Sequence, residues 1–394
     1  MSTVPGSLFR KALFWIHLAA GAVAGLFILL MSVTGVLLTY EHQMVESATH
    51  RNRVAVAADA VPLTAERLAA RARELSPEGA RLSLVFDVDP KMPVTASRGR
   101  DGSTLLDPYT GAEVQDASTG LRGFLRSVEN VHRWLGGRPG TMGADLMHAA
   151  NLLFLFLAAS GIYLWFPAVW RWNTLKGLLL FRGRYINSKF RDFSWHHVFG
   201  IWAVIPLLLI ALSGVVMSYG WANKAVFAVY GETPPQRGGP PPGMGPGGGA
   251  GERPAQADRS EAPSRADLDT LLAAAKAQVP EWQTLTLPLS SKGPTVDVVA
   301  ELPYVAPRAP RRTVTLSSAD ASLVKLSPPP GQGVTQSPGQ VARLWFRFIH
   351  TGEQYGVVGQ TIAGLASLAA CFLVYTGLAL AFRRLVLPLL RKRD

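Results

Sequence analysis

One phrase containing a histidine is written twice in this chain. His17 is followed by Gly21, Thr34-Gly35-Val36 and Thr39-Tyr40, and 179 residues later His196 is followed by Gly200, Ser213-Gly214-Val215 and Ser218-Tyr219 at the same spacing. Each copy lies in an almost unbroken apolar run. Ionisable groups are costly in hydrocarbon and are rarely kept there without a task, and neutral imidazole is an axial ligand of haem iron. Two such residues at one depth of two helices point to a haem clamped between facing imidazoles. Gly21 and Gly200 lie one turn beyond each histidine on the same helix face and are expected to clear space for the porphyrin. The competing reading is close helix packing through glycines, with His17 and His196 merely hydrogen-bonded at the interface. The matched histidine favours the haem. His197 points about 100° away from His196 on a helix, and only His196 keeps the register of His17.

A second set of histidines lies towards the other ends of the apolar runs. Ser160-Gly161-Ile162 and Thr376-Gly377-Leu378 close two further runs, with His132 and His350 lying 29 and 27 residues upstream of those glycines. This alignment pairs His350 with His132. His148 lies deeper in its run and competes with His132 on depth alone. His42 and His50 have no partner at matched spacing and are expected in a loop. Cys371 is the only cysteine, so neither an intrachain disulfide nor a CxxCH attachment is possible, and a haem would be b-type. The HExxH, GxSxG and GxxxxGK[ST] signatures do not occur.

These residues need helices to hold them. The 394 residues are 48% hydrophobic, too apolar for an ordinary soluble chain. Four runs, roughly 13–40, 146–170, 195–219 and 357–382, each reach the about 20 residues that cross a bilayer. The first is too long for a secretory signal and reads as a retained helix. The flanks beside Arg10, between Arg171 and Asp192, and after Phe382 hold thirteen bases against two acids, whereas residues 41–142 balance thirteen with thirteen. Flanking bases stay on the cytoplasmic side, so both termini are expected there and both long loops outside. The basic balance is a topology signal that argues against nucleic acid as a partner, while leaving contact with anionic membrane lipid.

The expected organisation is an α-helical membrane protein, a four-helix transmembrane bundle built as a duplicated helix-domain-helix unit with two outward α+β domains. In order these are residues 1–42 (cytoplasmic N-terminus and first span), 43–142 (outward domain), 143–170 (second span), 171–194 (basic cytoplasmic loop), 195–221 (third span), 222–265 (Pro/Gly-rich linker), 266–340 (second outward domain) and 341–394 (fourth span and basic tail). In the first outward domain a helix near 64–75 and a strand over 82–88 precede a hairpin over 103–114 that turns on Asp107-Pro108-Tyr109-Thr110-Gly111. In the second, a helix over 266–279 precedes strands over 282–289, 295–301 and 313–316.

With these motifs in hand, the chain resembles the PepSY-associated transmembrane family, which includes iron-regulated siderophore reductases. Asp107-Pro108-Tyr109-Thr110-Gly111 is similar to that family's outward hairpin. His132-Arg133-Trp134-Leu135-Gly136, Arg191-Asp192-Phe193-Ser194-Trp195-His196 and His350-Thr351-Gly352-Glu353 are similar to its membrane-flanking motifs. The resemblance implies periplasmic PepSY-like domains in a multi-pass protein of the bacterial inner membrane. It further implies two haems b, His17 with His196 holding the inner one and His132 with His350 the outer one. These would carry electrons from a cytoplasmic or quinol donor to a periplasmic ferric siderophore. Residues 318–324 lack the DPxTG hairpin, which sets the second domain apart. The rival expectations are a membrane-anchored PepSY binding or regulatory module without redox chemistry, and a permease for the iron complex itself.

Overall fold

The computed structural model describes residues 5–57, 59–167, 170–235, 266–289, 293–329 and 336–390. In chain order the elements are α1 (Pro5–Leu38), α2 (Glu41–Thr49), α3 (Ala65–Glu74), β1 (Ser83–Asp87), β2 (Val94–Ser97), β3 (Ser103–Leu106), β4 (Glu113–Val114), α4 (Thr119–Trp134), α5 (Met142–Trp165), α6 (Trp172–Leu179), α7 (Ser188–Ser218), α8 (Gly220–Ala228), α9 (Leu268–Gln278), β5 (Thr284–Pro288), β6 (Thr295–Glu301), β7 (Arg311–Ser317), β8 (Leu323–Leu326), α10 (Pro338–Thr351), α11 (Gly356–Leu385) and α12 (Leu387–Leu390). They fall into two units, a helical one (residues 1–45, 120–234 and 337–394) and a sheet one (46–119 and 235–336).

In the helical unit α1, α5, α7 and α11 lie in four segments long and apolar enough to cross a membrane. Around the bundle α1 packs on α5, α5 on α7, α7 on α11 and α11 on α1. Small side chains let the axes approach: Ala24 of α1 meets Ala150 of α5, and Ala203 of α7 packs with Ala366, Ala369 and Ala370 of α11. α4 and α10 are shorter and amphipathic, with apolar residues on one face only. Ser337 caps α10 in a reciprocal box with Gln340, and Glu232 accepts hydrogen bonds from the Ser337 hydroxyl and the Gly339 amide. The turn from α10 into α11 needs Gly352, whose φ is +80°. A Cβ there would also fall 2.5 Å from the Gly359 carbonyl oxygen.

The sheet unit departs from the expected pair of separate domains. Its strands form one antiparallel sheet of eight in the order β4-β3-β2-β1-β5-β6-β7-β8, the two segments joining where Leu84 of β1 stands opposite Leu287 of β5. Strand alternation sends Leu84, Leu285, Leu287, Val298, Val314 and Leu316 into a fully buried layer against α3 and α9. Those two helices cap each other. The Asp269 carboxylate accepts from the Ala65 amide at 2.7 Å and Glu66 accepts from the Leu268 amide at 2.9 Å, each satisfying an orphan donor at a positive helix end.

Several sequence expectations change at their edges. α4 and α10 belong to the helical unit, although residues 119–142 and 338–340 read as outward domain; one-sided apolar patterning leaves no continuous run to mark them. The basic loop 171–194 contains α6 and the first turns of α7. The linker 222–265 begins helical, since α8 reaches Ala228, and its residues 236–265 lie outside the described residues. β2 and β8 were not anticipated, being four residues each.

The missing DPxTG motif does not remove its turn. Between β3 and β4 Asp107 donates its amide to Ala112 O and receives the Gly111 amide; between β7 and β8 Ser317 donates to Ser322 O and receives the Ala321 amide. Gly111 has φ +72° and Ala321 +57°, so an alanine holds a left-handed position that costs an L-residue about 1 kcal/mol. We expect Ala321→Gly to be neutral or stabilising by up to about 1 kcal/mol, and Gly111→Ala to destabilise by at least that much, read as opposite shifts in thermal unfolding of the full chain in detergent.

Candidate functional site

Four histidines of the helical unit make one kind of contact. His17 Nδ1 on α1 lies 2.8 Å from Ser160 Oγ on α5, and His132 Nδ1 on α4 lies 2.8 Å from Thr34 Oγ1 on α1. His196 Nδ1 on α7 lies 3.0 Å from Thr376 Oγ1 on α11, and His350 Nδ1 on α10 lies 3.0 Å from Ser213 Oγ on α7. In every case the hydroxyl belongs to a different helix from the imidazole.

The proton positions follow from the network. Each hydroxyl donates within its own helix: Thr34 to Leu30 O at 2.6 Å, Ser160 to Leu157 O at 3.2 Å, Ser213 to Ile210 O at 2.8 Å and Thr376 to Phe372 O at 2.7 Å. A hydroxyl has one proton, so towards the imidazole its oxygen accepts and Nδ1 is the protonated nitrogen. His350 makes the same point directly, because its Nδ1 also donates to the Ile210 carbonyl at 2.9 Å. The carbonyl acceptor fixes this for His350, and the backbone bonds of the hydroxyls assign Nε2 as the basic nitrogen of the other three rings. Burial pushes the His132 imidazole down to about 4, with His350 beside it adding to the shift, which keeps it in the neutral form that binds metal.

A glycine follows each hydroxyl, and three of the four glycines lie against an imidazole at ordinary packing distance. A Cβ on Gly161 would stand 3.7 Å from His17 Cε1, one on Gly35 3.7 Å from His132 Cε1, and one on Gly377 3.4 Å from His196 Cε1. At Gly214 the space is taken by Asn151 instead, whose side-chain amide donates to Ala211 O at 3.0 Å. Gly21 and Gly200 face leucines rather than imidazoles. A Cβ on either would meet Leu157 or Leu373 at 3.9 and 3.7 Å, an ordinary packing distance.

The histidines come together in twos. His132 and His350 have ring centres 6.3 Å apart at 67°. His17 and His196 stand on α1 and α7, each of which packs on both α5 and α11, and the His196 ring has that of His197 6.5 Å away. The alternatives sit elsewhere: His148 neighbours Tyr219 at 5.9 Å. His197 Nδ1 donates within its own turn to Phe193 O at 2.9 Å, with its ring 4.1 Å from that phenyl. His42 and His50, expected in a loop, lie in α2 and the helical turn after it, His50 beside Glu46 at 3.9 Å.

Arginines tie the same helix pairs near His17 and His196. Arg10 of α1 donates to the Leu164 and Phe166 carbonyls at 2.9 and 2.8 Å, closing the end of α5. Asp192, one turn before His196, is fully buried and accepts from Arg191 at 2.9 Å and from Arg383 of α11 at 2.5 Å. The spacing of Ser/Thr-Gly pairs marks the hydroxyls in the sequence, but not their partners; the Asp192 to Arg383 pairing has no sequence signal.

Four apolar helices carrying paired histidines, with an antiparallel sheet unit in the same chain, define a helical membrane protein. The family model of the PepSY-associated TM region matches residues 14–384, and the chain belongs to that family. No curated protein matches it.

Breaking one side of a buried ion pair leaves a charge uncompensated. Asp192→Ala, which removes the partner of both Arg191 and Arg383, is expected to lower stability by about 3 kcal/mol, and Arg383→Ala by less, because Arg191 still compensates the carboxylate. In the double variant the losses should fall short of additive by about 1–3 kcal/mol, as measured by thermal unfolding in detergent.

Proposed function

We propose that this chain is a di-haem b oxidoreductase of the bacterial inner membrane that passes electrons across the bilayer to ferric siderophores on the periplasmic side, releasing Fe(II). The observation that carries the reading is the donor set: four imidazoles, each with Nδ1 engaged by a hydroxyl of another helix, two of which, His132 and His350, have ring centres 6.3 Å apart. The fit to haem is favourable. Neutral imidazoles are ligands of haem iron, and His132 and His350, with ring centres 6.3 Å apart, would be close enough to serve one metal together. His17 with His196 would hold one haem and His132 with His350 the other, and a bound haem supplies reversible one-electron chemistry. The protein's part is to orient these imidazoles, keep them neutral and exclude water with the apolar helices. Substrate Fe(III) held by hard oxygen donors is gripped less tightly once it is Fe(II), so a single electron frees the metal and spares the chelator.

The same reading includes the finer topology. Two helix-domain-helix halves are related by duplication, both termini are cytoplasmic, and the sheet unit is periplasmic. Reciprocity within each half supports it: α1 and the α4–α5 segment exchange histidine for hydroxyl, and so do α7 and the α10–α11 segment. The donor is a cytoplasmic reductant or a quinol.

The test is optical. Protein made under haem-replete conditions should bind about two haems per chain with a reduced-minus-oxidised α-band and Soret signal. His17→Ala with His196→Ala should remove one haem, as should His132→Ala with His350→Ala, while His148→Ala and His197→Ala keep both. A colourless wild-type protein would point instead to a membrane-anchored PepSY binding or regulatory module.

A further inference from the structure

The four hydroxyls do more in this arrangement than fill helix interfaces. Thr34, Ser160, Ser213 and Thr376 each give their proton to their own helix backbone and so face a histidine of another helix as a fixed acceptor. No carboxylate takes that place at any of the four Nδ1 contacts. An acceptor at the far nitrogen of a ligating histidine fixes its tautomer and rotation and raises its basicity. A neutral hydroxyl does so gently, whereas a carboxylate would draw the imidazole towards imidazolate and favour the ferric state more strongly.

Building on the haem reading above, we infer that Thr34, Ser160, Ser213 and Thr376 are positioning residues that set the ring orientation and donor strength of the four histidines, Ser160 and Thr376 at one site and Thr34 and Ser213 at the other. Helix packing alone gives no reason for the match. Packing asks only for small side chains, which alanine supplies, and leaves the identity of the neighbouring residue open. Here the hydroxyl, the helical carbonyl that takes its proton and the imidazole of a different helix coincide at all four places. At three of them the glycine that follows leaves room for the ring.

The variants that test this keep side-chain volume where they can: Ser160→Ala and Thr376→Val at one site, Thr34→Val and Ser213→Ala at the other. Each is expected to weaken haem retention by about 10–100-fold and to move the midpoint potential of its own haem to more positive values, leaving the other haem where it was. Ser160→Thr and Thr376→Ser should restore both properties. In the reduced wild-type protein, histidine ¹⁵N spectra should show four rings protonated at Nδ1, a readout that needs no variant to fold. Unchanged potentials and haem retention in all four variants would overturn the inference, as would rings protonated at Nε2. A wild-type protein that binds no haem would overturn the haem reading itself, whereas Nδ1 protonation in it would still assign the hydroxyls their place in the network.

Discussion

An imidazole N–H inside an apolar helix bundle must find an acceptor, because no water competes to supply one and an unmade hydrogen bond there costs several kcal/mol. The helical unit is arranged around that demand. Each of four histidines reaches a serine or threonine on another helix, and each hydroxyl has already satisfied its own proton on the backbone. The helices can therefore pack only in an order that places α5 beside α1 and α11 beside α7, with α4 and α10 close enough to reach back to Thr34 and Ser213. The glycine after three of the hydroxyls lies in contact range of the ring. At the fourth, Asn151 uses the gap to bind a backbone carbonyl, turning the same small residue into a helix-to-helix tie.

Reciprocity is the means by which both units are held. In the helical unit α1 lends a histidine to α5 and takes one from α4, while α7 lends one to α11 and takes one from α10. In the sheet unit α3 and α9 each offer a carboxylate to the other's N-terminus, and β1 with β5 joins the strands of both segments into one sheet. A paired β1 and β5 leave no exposed edge at the middle of the sheet, where two separate four-stranded sheets would have presented one each.

How much of this was legible depends on whether a feature is local or assembled. His17 and His196 were found by register, because both lie within continuous helices and a helix converts sequence spacing into depth. His132 and His350 were harder to pair. Seven residues separate α4 from α5 but four separate α10 from α11, so turns of different length spoil the 29-versus-27 match. The turn at Ser317 to Ala321 was missed for the opposite reason: its backbone bonds survive although the residues that advertise them are gone. α4 and α10 escaped notice as parts of the helical unit because hydropathy reports runs, and these helices are apolar on one face only.

By itself the sequence determined the four long apolar helices, the side chains able to ligate a metal and the Ser/Thr-Gly pairs, since composition and helical period are properties of neighbouring residues. Tertiary structure alone decided which hydroxyl serves which histidine, that Arg383 joins Arg191 on Asp192, and that two distant segments share one sheet. Those are meetings of residues as far apart in the chain as Ser83 and Pro288. A hydrogen bond between helices depends on rotation and depth together, and an edge-to-edge strand pairing runs through backbone atoms that every residue has. Neither leaves a mark in the order of side chains until the chain has folded.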